Sequence, residues 1–361
     1  GLGPPQRPRP LVLAPPELPE QSAGALLFIL ITTHYAPICI IIKSMEDLLY
    51  SLNAIVPLLV TMAVGWVIGL RGHAGESDIN FLNRLAFQYL LPIHLFNTTM
   101  QIHFFDEFNP KLITFCALAI FFTMAAAWIV FAFVIKDRHR RCIFIVSTFR
   151  SNNVIYALPL SANLFGAEGT RTAAMLVPAS IVLFSLFSVI VMVYHVQNAN
   201  TTIWKSIKKT LVEIVKNPLM IGSVSGILFS FTNITMPLSL SRGIGYVAAT
   251  ATPIALILLG AQIDIKKLKT NLKPAFAACS LRLIVVPAIV IPLMVFCGFR
   301  GAELGVLMIC FSAPCAVSSM VMARNYKIDP PFAAQVVYLS TAFSLATMFC
   351  IISILKRMDL F

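Results

Sequence analysis

The sequence predicts an all-α membrane protein of ten transmembrane helices, arranged as two inverted five-helix repeats in which helices four and nine are broken and cross. Three observations carry this. The 361 residues are 58% hydrophobic and only 12% charged, with a mean hydropathy of +0.85, whereas soluble domains average about 25% charged. Apolar runs close to the ~20 residues that a bilayer core requires recur along the chain. Residues that interrupt or notch helices also stand at a constant offset between its two halves.

The runs fall in order at 50–70, 80–100, 112–135, 142–165, 172–195, 217–232, 243–263, 274–298, 303–323 and 331–355. No soluble domain fits between them. Lysine and arginine are concentrated in alternate connections: Lys136 to Arg141, Lys205 to Lys216 and Lys266 to Lys273, and more weakly Arg71 to Arg84 and Arg324 to Lys327. Because short basic loops stay in the cytoplasm, all five are expected there. Both ends of a ten-span chain then lie outside, in a multi-pass protein of the cell membrane. The net charge of +12 is thereby a topological signal and not a nucleic-acid footprint.

Residues 1–44 stand apart from this pattern. The first 24 are proline-rich and are expected to be disordered; residues 25–42 form a short apolar segment interrupted by His34 and Pro37. Met45 reads as a natural start, so the extension is either non-native sequence or a genuine extra helix. The expected organisation is this extension, a first repeat over 45–200 and a second over 201–361.

The repeats rest on spacing. Pro57 and Pro218, Gly65 and Gly226, Pro92 and Pro253, and Asn153 and Pro314 each stand 161 residues apart, and LPIHL aligns with TPIAL at the same offset. Five spans per copy make the second copy enter the bilayer from the opposite face. Inverted repeats of this kind belong to secondary transporters, whose sites lie near the midplane where broken helices meet. The fourth span, with RSNNVIYALPL at 150–160, and the ninth, with SAPCAVSS at 312–319, are the expected meeting point.

A broken helix exposes unpaired N–H and carbonyl groups and dipole ends of about half a charge. Asn152 and Asn153, ahead of Pro159, and Ser318 and Ser319, beyond Pro314, supply amide and hydroxyl groups to such a gap. The competing reading is that they only glue helices together. Arg150 and Arg282 lie within spans, where charge is costly and marks function by default. Either they face an anion, or they snorkel or bond the carbonyls of a broken helix. His94, just after Pro92, is the midmembrane group suited to proton coupling; the alternative is a packing histidine.

Absences narrow the function. Every acidic residue after Met45 falls in or beside a loop, which removes a buried carboxylate relay and an intramembrane aspartyl protease. There is no phosphate-cradling loop for an ATP-driven pump, and no serine and histidine placement that compels hydrolysis. The eight cysteines are scattered without a CxxC pair and read as packing residues. No enzyme, cofactor or metal site is expected, and transport would draw on a Na+ or H+ gradient. A ligand-binding sensor on the same fold is the alternative.

The residues resemble the auxin efflux carrier family, which includes plant auxin carriers and bacterial malate or malonate permeases. The resemblance lies in Asn152, Pro159 and LFGAEG at 164–169, PCAVSSMVMARNY at 314–326, NAIVPLLVTMAVGWVIG at 53–69, KNPLMIG at 216–222, TPIALILLGAQI at 252–263 and RLIVVP at 282–287. It covers Met45 to the carboxyl end. It implies a scaffold and a transport domain with elevator-like alternating access, and a small organic anion bound where Asn152, Pro159 and Pro314 cross. Ser319 stands where the plant carriers have a second proline, and the loop after the fifth span is short. The first departure points away from auxin itself, and the second toward a bacterial member, a permease of the inner membrane without loop phosphorylation. Membrane lipid is an expected partner, and a homodimer is allowed.

Overall fold

The computed structural model describes residues 20–73, 75–101, 108–196, 203–232, 234–263 and 272–361, with side chains from Met45 onward except Glu76. It separates into two units, Gly1–Leu48 and Leu49–Phe361. Of the first, the description is the opening of helix α1 (Glu20–Leu70); of the disorder expected over residues 1–24, residues 1–19 lie outside the described residues, and residues 20–24 are instead helical, the first turn of α1. All further elements belong to the second unit. They are α2 (Glu76–Leu85), a π-helical turn (Ala86–Leu90) and α3 (Leu91–Thr99), then α4 (Pro110–Val134), α5 (Arg138–Phe149), α6 (Asn153–His195), α7 (Ile203–Val215), α8 (Pro218–Ser230) and α9 (Leu238–Ala261). After these come α10 (Leu272–Ser280), a second π-helical turn (Leu281–Val285) and α11 (Val286–Phe296), α12 (Gly301–Ser312), α13 (Val317–Asn325) and α14 (Pro330–Arg357).

Among the described residues, six helices are long and apolar enough to span a bilayer: Met45–Leu70, Pro110–Val134, Asn153–His195, Leu238–Ala261, Leu272–Phe296 and Pro330–Arg357. The pair α7 and α8, bent by 56°, makes a seventh if it is one span. Of the other expected runs, 80–100 and 303–323 each fall on shorter helices with a break between them, 142–165 on α5 and the first part of α6, 172–195 on the rest of α6, and 217–232 on α8. Helix α4 illustrates the lipid environment. It buries one stripe, Leu112, Cys116, Ile120, Met124, Ala127 and Phe131, yet Phe122, Ile129 and Phe133 on its other faces are 62%, 62% and 85% exposed. A helix apolar on every side suits hydrocarbon.

The two π-helical turns have one cause. Each ends two residues before a proline, Pro92 or Pro287, whose ring cannot donate to the preceding turn. Widening the turn absorbs the lost bond and rotates the intervening side chains. A second departure lies in α6, whose 43 residues would measure ~65 Å if straight, about twice the bilayer core. It kinks at Gly166, with φ 59° and ψ −134°, a conformation open to glycine alone. The expected fourth span ended at residue 165.

Packing forms two groups. Helix α3 packs on α8 and α9, and α1 meets α9 so closely that a β-carbon at Gly65 would overlap the Ile257 carbonyl, and one at Gly260 the Met62 carbonyl. A β-carbon at Gly226 of α8 would meet Phe96 and Thr99 of α3, whose hydroxyl donates to the Ser223 carbonyl (3.2 Å). In the second group, α6 packs on α4, α5 and α12, α14 on α10 and α13, and α11 on α12. Helix α6 joins the groups: Tyr50 donates its hydroxyl to the Leu164 carbonyl (2.7 Å) and Asn163 its amide to the Ala54 carbonyl (2.9 Å).

Asn109 links α4 to α12. Its side-chain oxygen caps the Leu112 N–H (3.1 Å) while its amide donates to Glu303. Asn109→Ala should lower the melting temperature by about 3–5 °C, the cost of one cap and one charge-assisted bond. Thermal unfolding of the purified protein checks this; an unchanged melting temperature would show the cap to be idle.

Candidate functional site

The site is made by two interruptions that face each other. Helix α5 ends at Phe149, Arg150 and Ser151 are extended, and α6 begins at Asn153. Helix α12 ends at Ser312, Ala313 to Ala316 are extended, and α13 begins at Val317. The two gaps run antiparallel, bridged at Ser151 and Cys315, and the Asn152 N–H donates to the Pro314 carbonyl (2.8 Å). Cys315 fastens the crossing on either side: its N–H donates to Ser340 Oγ of α14 (3.1 Å) and its thiol to the Ser147 carbonyl of α5 (3.3 Å).

The prolines divide the work differently from the sequence expectation. Pro314 sits in the gap itself and supplies the accepting carbonyl. Pro159 does not open the fourth helix: α6 runs on through it, and the break lies at residues 150–152. The reason is tertiary. A proline in a helix removes one N–H, but the non-helical stretch at residues 150–152 is held by pairing with the other gap.

The two arginines take opposite ends of the broken helices. Arg282, in the second π-helical turn and 0% exposed, donates from Nε to the Ala313 carbonyl (2.8 Å) and from Nη2 to Cys310 (2.8 Å). From Nη1 it donates to Thr148 (3.1 Å) and Phe149 (3.3 Å). It therefore sits on the carboxyl ends of both α5 and α12. Every guanidinium nitrogen donates to a backbone carbonyl, which is the alternative that the sequence reading set beside an anion-facing role. Arg150, 7% exposed, donates from Nη1 to the Phe184 carbonyl (2.8 Å) and Ser188 Oγ (2.9 Å), and from Nη2 to Ser318 Oγ (3.0 Å). Its Nε is buried without a partner. Arg150 thus reaches the amino end of α13, three residues ahead of the amino end of α6, and neither end has a side-chain cap.

Around these ends lies a set of buried polar atoms without partners: Ser151 Oγ, Asn152 Nδ2, Asn153 Oδ1, Ser312 Oγ and Ser319 Oγ. Asn153 spends its amide on Ser180 Oγ (3.0 Å). Such atoms are uncommon in folded proteins and each calls for an explanation; six of them, counting Arg150 Nε, lie around one crossing. The cavity beside Ser147, Cys315 and Ser319 is only about 10 Å³, room for about one water. A larger groove of about 390 Å³ between α4 and α11 is lined almost wholly by apolar side chains and touches the crossing only at Thr148. It lacks the convergent polar groups of a substrate site.

His94 is on α3, its ring against the Ala248 backbone of α9; no hydrogen bond among the described residues links it to the crossing. Ser147, Ser180, Ser188 and Ser340 bond groups of the crossing and were not singled out by the sequence reading, since a lone intramembrane serine carries no spacing signal. Among the described residues no group of three His, Cys, Asp or Glu is placed to hold a metal ion.

Six or seven apolar helices among the described residues, long enough to cross a bilayer, mark a multi-pass helical membrane protein. The chain belongs to the membrane transport protein family, the auxin efflux carrier family of the sequence resemblance, whose model matches residues 50–352. An uncharacterized transporter of Methanocaldococcus jannaschii is 24% identical over 304 residues, covering 81% of this chain and 95% of the relative. An uncharacterized transporter of Methanothermobacter thermautotrophicus is 21% identical over 300 residues, covering 82% and 96%.

Proposed function

We propose that the protein is a secondary active transporter of a small organic anion, a mono- or dicarboxylate, which binds at the crossing of the two broken helices and moves by alternating access. The observation that carries this is Arg150. Its charge adds to two uncapped helix amino ends of about half a unit each, giving a local charge near +2, and no carboxylate among the described residues reaches it. The opposing carboxyl ends are already neutralised by Arg282. What remains is a buried, positive, hydrogen-bonding crossing whose chemistry suits one or two carboxylates.

The architecture behind this reading is ten spans in two inverted repeats, with the basic loops in the cytoplasm of a cell membrane. Its support is a set of contacts that exchange under the 161-residue offset. Gly65 against Ile257 becomes Gly226 against Phe96, and Gly260 against Met62 becomes Thr99 against Ser223. Helices α1, α2–α3, α8 and α9 would form the scaffold, and α4–α6 with α10–α14 the moving part that bears Asn152, Asn153, Pro314, Ser318 and Ser319.

The test is uptake of radiolabelled malate, malonate and monocarboxylates into proteoliposomes, with sodium or proton gradients imposed separately. Saturable uptake of at least one anion, accelerated by one gradient, is expected. Thermal stabilisation by an anion with no flux under any gradient would replace this reading with a sensor.

A further inference from the structure

We infer that Arg282 is the resident cation of the crossing: it fills a carbonyl cage that would otherwise have to recruit a free monovalent cation, and its removal turns that cage into a binding site for guanidinium. The argument starts from cost. A charge taken fully out of water and lipid headgroups persists only if it is compensated. Arg282 is 0% exposed, and no carboxylate among the described residues pairs with it. Its compensation is four carbonyl oxygens, those of Thr148, Phe149, Cys310 and Ala313.

These acceptors have a particular origin. They are the last turns of α5 and α12, where helical carbonyls have no intrahelical donor. Two such ends carry about half a negative charge each, so one guanidinium balances them. Two carboxyl ends converging without a cation would repel each other, and the bridge of Ser151 with Cys315 and the bond of Asn152 to Pro314 would have to close against that repulsion. A guanidinium fits where an ammonium would not, since its planar fork reaches acceptors on two helices at once. The second π-helical turn, set by Pro287, places Leu281–Val285 outside regular α geometry and brings Arg282 inward. Arg282 is a positioning residue in this scheme, acting on substrate only through the geometry of the two gaps.

For transport, which rests on the reading given above, the consequence is that no inorganic cation is required at the carboxyl ends of the broken helices. The cage itself does not depend on that reading. The two can be tested apart.

The experiment compares thermal unfolding of the purified full chain with Arg282→Ala, Arg282→Gln and Arg282→Lys, in choline, sodium and low-millimolar guanidinium chloride. Arg282→Ala should melt about 10 °C lower in choline and recover at least half of that loss in guanidinium, while the unsubstituted protein gains nothing from it. Arg282→Lys should fall between the two and respond little to guanidinium. Hydrogen exchange at residues 149–152 and 313–316 should rise in Arg282→Ala and fall again with guanidinium, a response that a merely space-filling arginine would not produce. If Arg282→Ala does not accumulate, Arg282→Gln carries the same comparison. Melting of the neutral variants at the level of the unsubstituted protein, or equally low in guanidinium and in choline, overturns the inference. Protection of residues 149–152 and 313–316 of the unsubstituted protein from hydrogen exchange by sodium but not by choline would put an inorganic cation at those carboxyl ends and would overturn the transport consequence alone.

Discussion

Arg150→Gln should reduce carboxylate uptake about a hundredfold while the protein still inserts and folds. The size follows from losing two to three kcal/mol, about the worth of one charge-assisted hydrogen bond in a buried site, with the long-range attraction lost as well. Stability should change little, by about 3 °C or less, because Arg150 is a buried cation without a carboxylate and a neutral side chain relieves that cost. Glutamine can still bond one of Phe184, Ser188 and Ser318. Arg150→Lys keeps the charge but not the fork and should retain part of the uptake. The measurement is proteoliposome uptake set beside thermal unfolding; undiminished uptake by Arg150→Gln would remove Arg150 from the site, and collapse of both together would make it structural.

Gly260→Ala should disrupt assembly of α1 against α9, with a loss of about 3 kcal/mol and about 10 °C in melting temperature, and Gly260→Leu should leave little folded protein. A β-carbon at 260 overlaps the Met62 carbonyl and comes within 3.0 Å of the Trp66 nitrogen. These are backbone atoms, so no rotamer change relieves the clash. In lipid, where apolar burial does not drive helices together, close approach over small residues is the main attraction. Gly243, on the same helix, has nothing within 4 Å of its would-be β-carbon. Gly243→Ala is the control, and should melt at or slightly above the unsubstituted protein through better helix propensity. Equal behaviour of the two variants would disprove the close contact.

Much of the fold was readable because bilayer helices leave a strong local signal. The apolar runs, their ends near Leu70, Val134, His195 and Arg357, and the family itself follow from residues in order. Gly65 and Gly226, which stand 161 residues apart, both lie at close helix contacts, Gly65 against Ile257 and Gly226 against Phe96 and Thr99. What was not readable is non-local. The break before Asn153 was assigned to Pro159, six residues further on, because a proline is visible in sequence and a backbone bond to Pro314 is not. Arg282 was visible as an intramembrane charge; which groups it meets depends on a π-helical turn and on two helix ends more than a hundred residues apart from each other. The basic stretch from Lys205 to Lys216 read only as a loop. It is largely the helix α7, which buries Thr210 and Ile214 and exposes Trp204, Leu211 and Val215 beside its lysines.

The bond between Asn152 and Pro314 has a mechanical meaning. Together with the cage around Arg282 it clamps both gaps into one clasp, so neither can lengthen, untwist or slide by itself. An anion held there would travel with its ligands instead of exchanging them. In the proposed transport cycle, friction would then arise between this clasp-bearing bundle and α1, α3, α8 and α9, and substitutions on those facing surfaces would alter turnover without touching affinity.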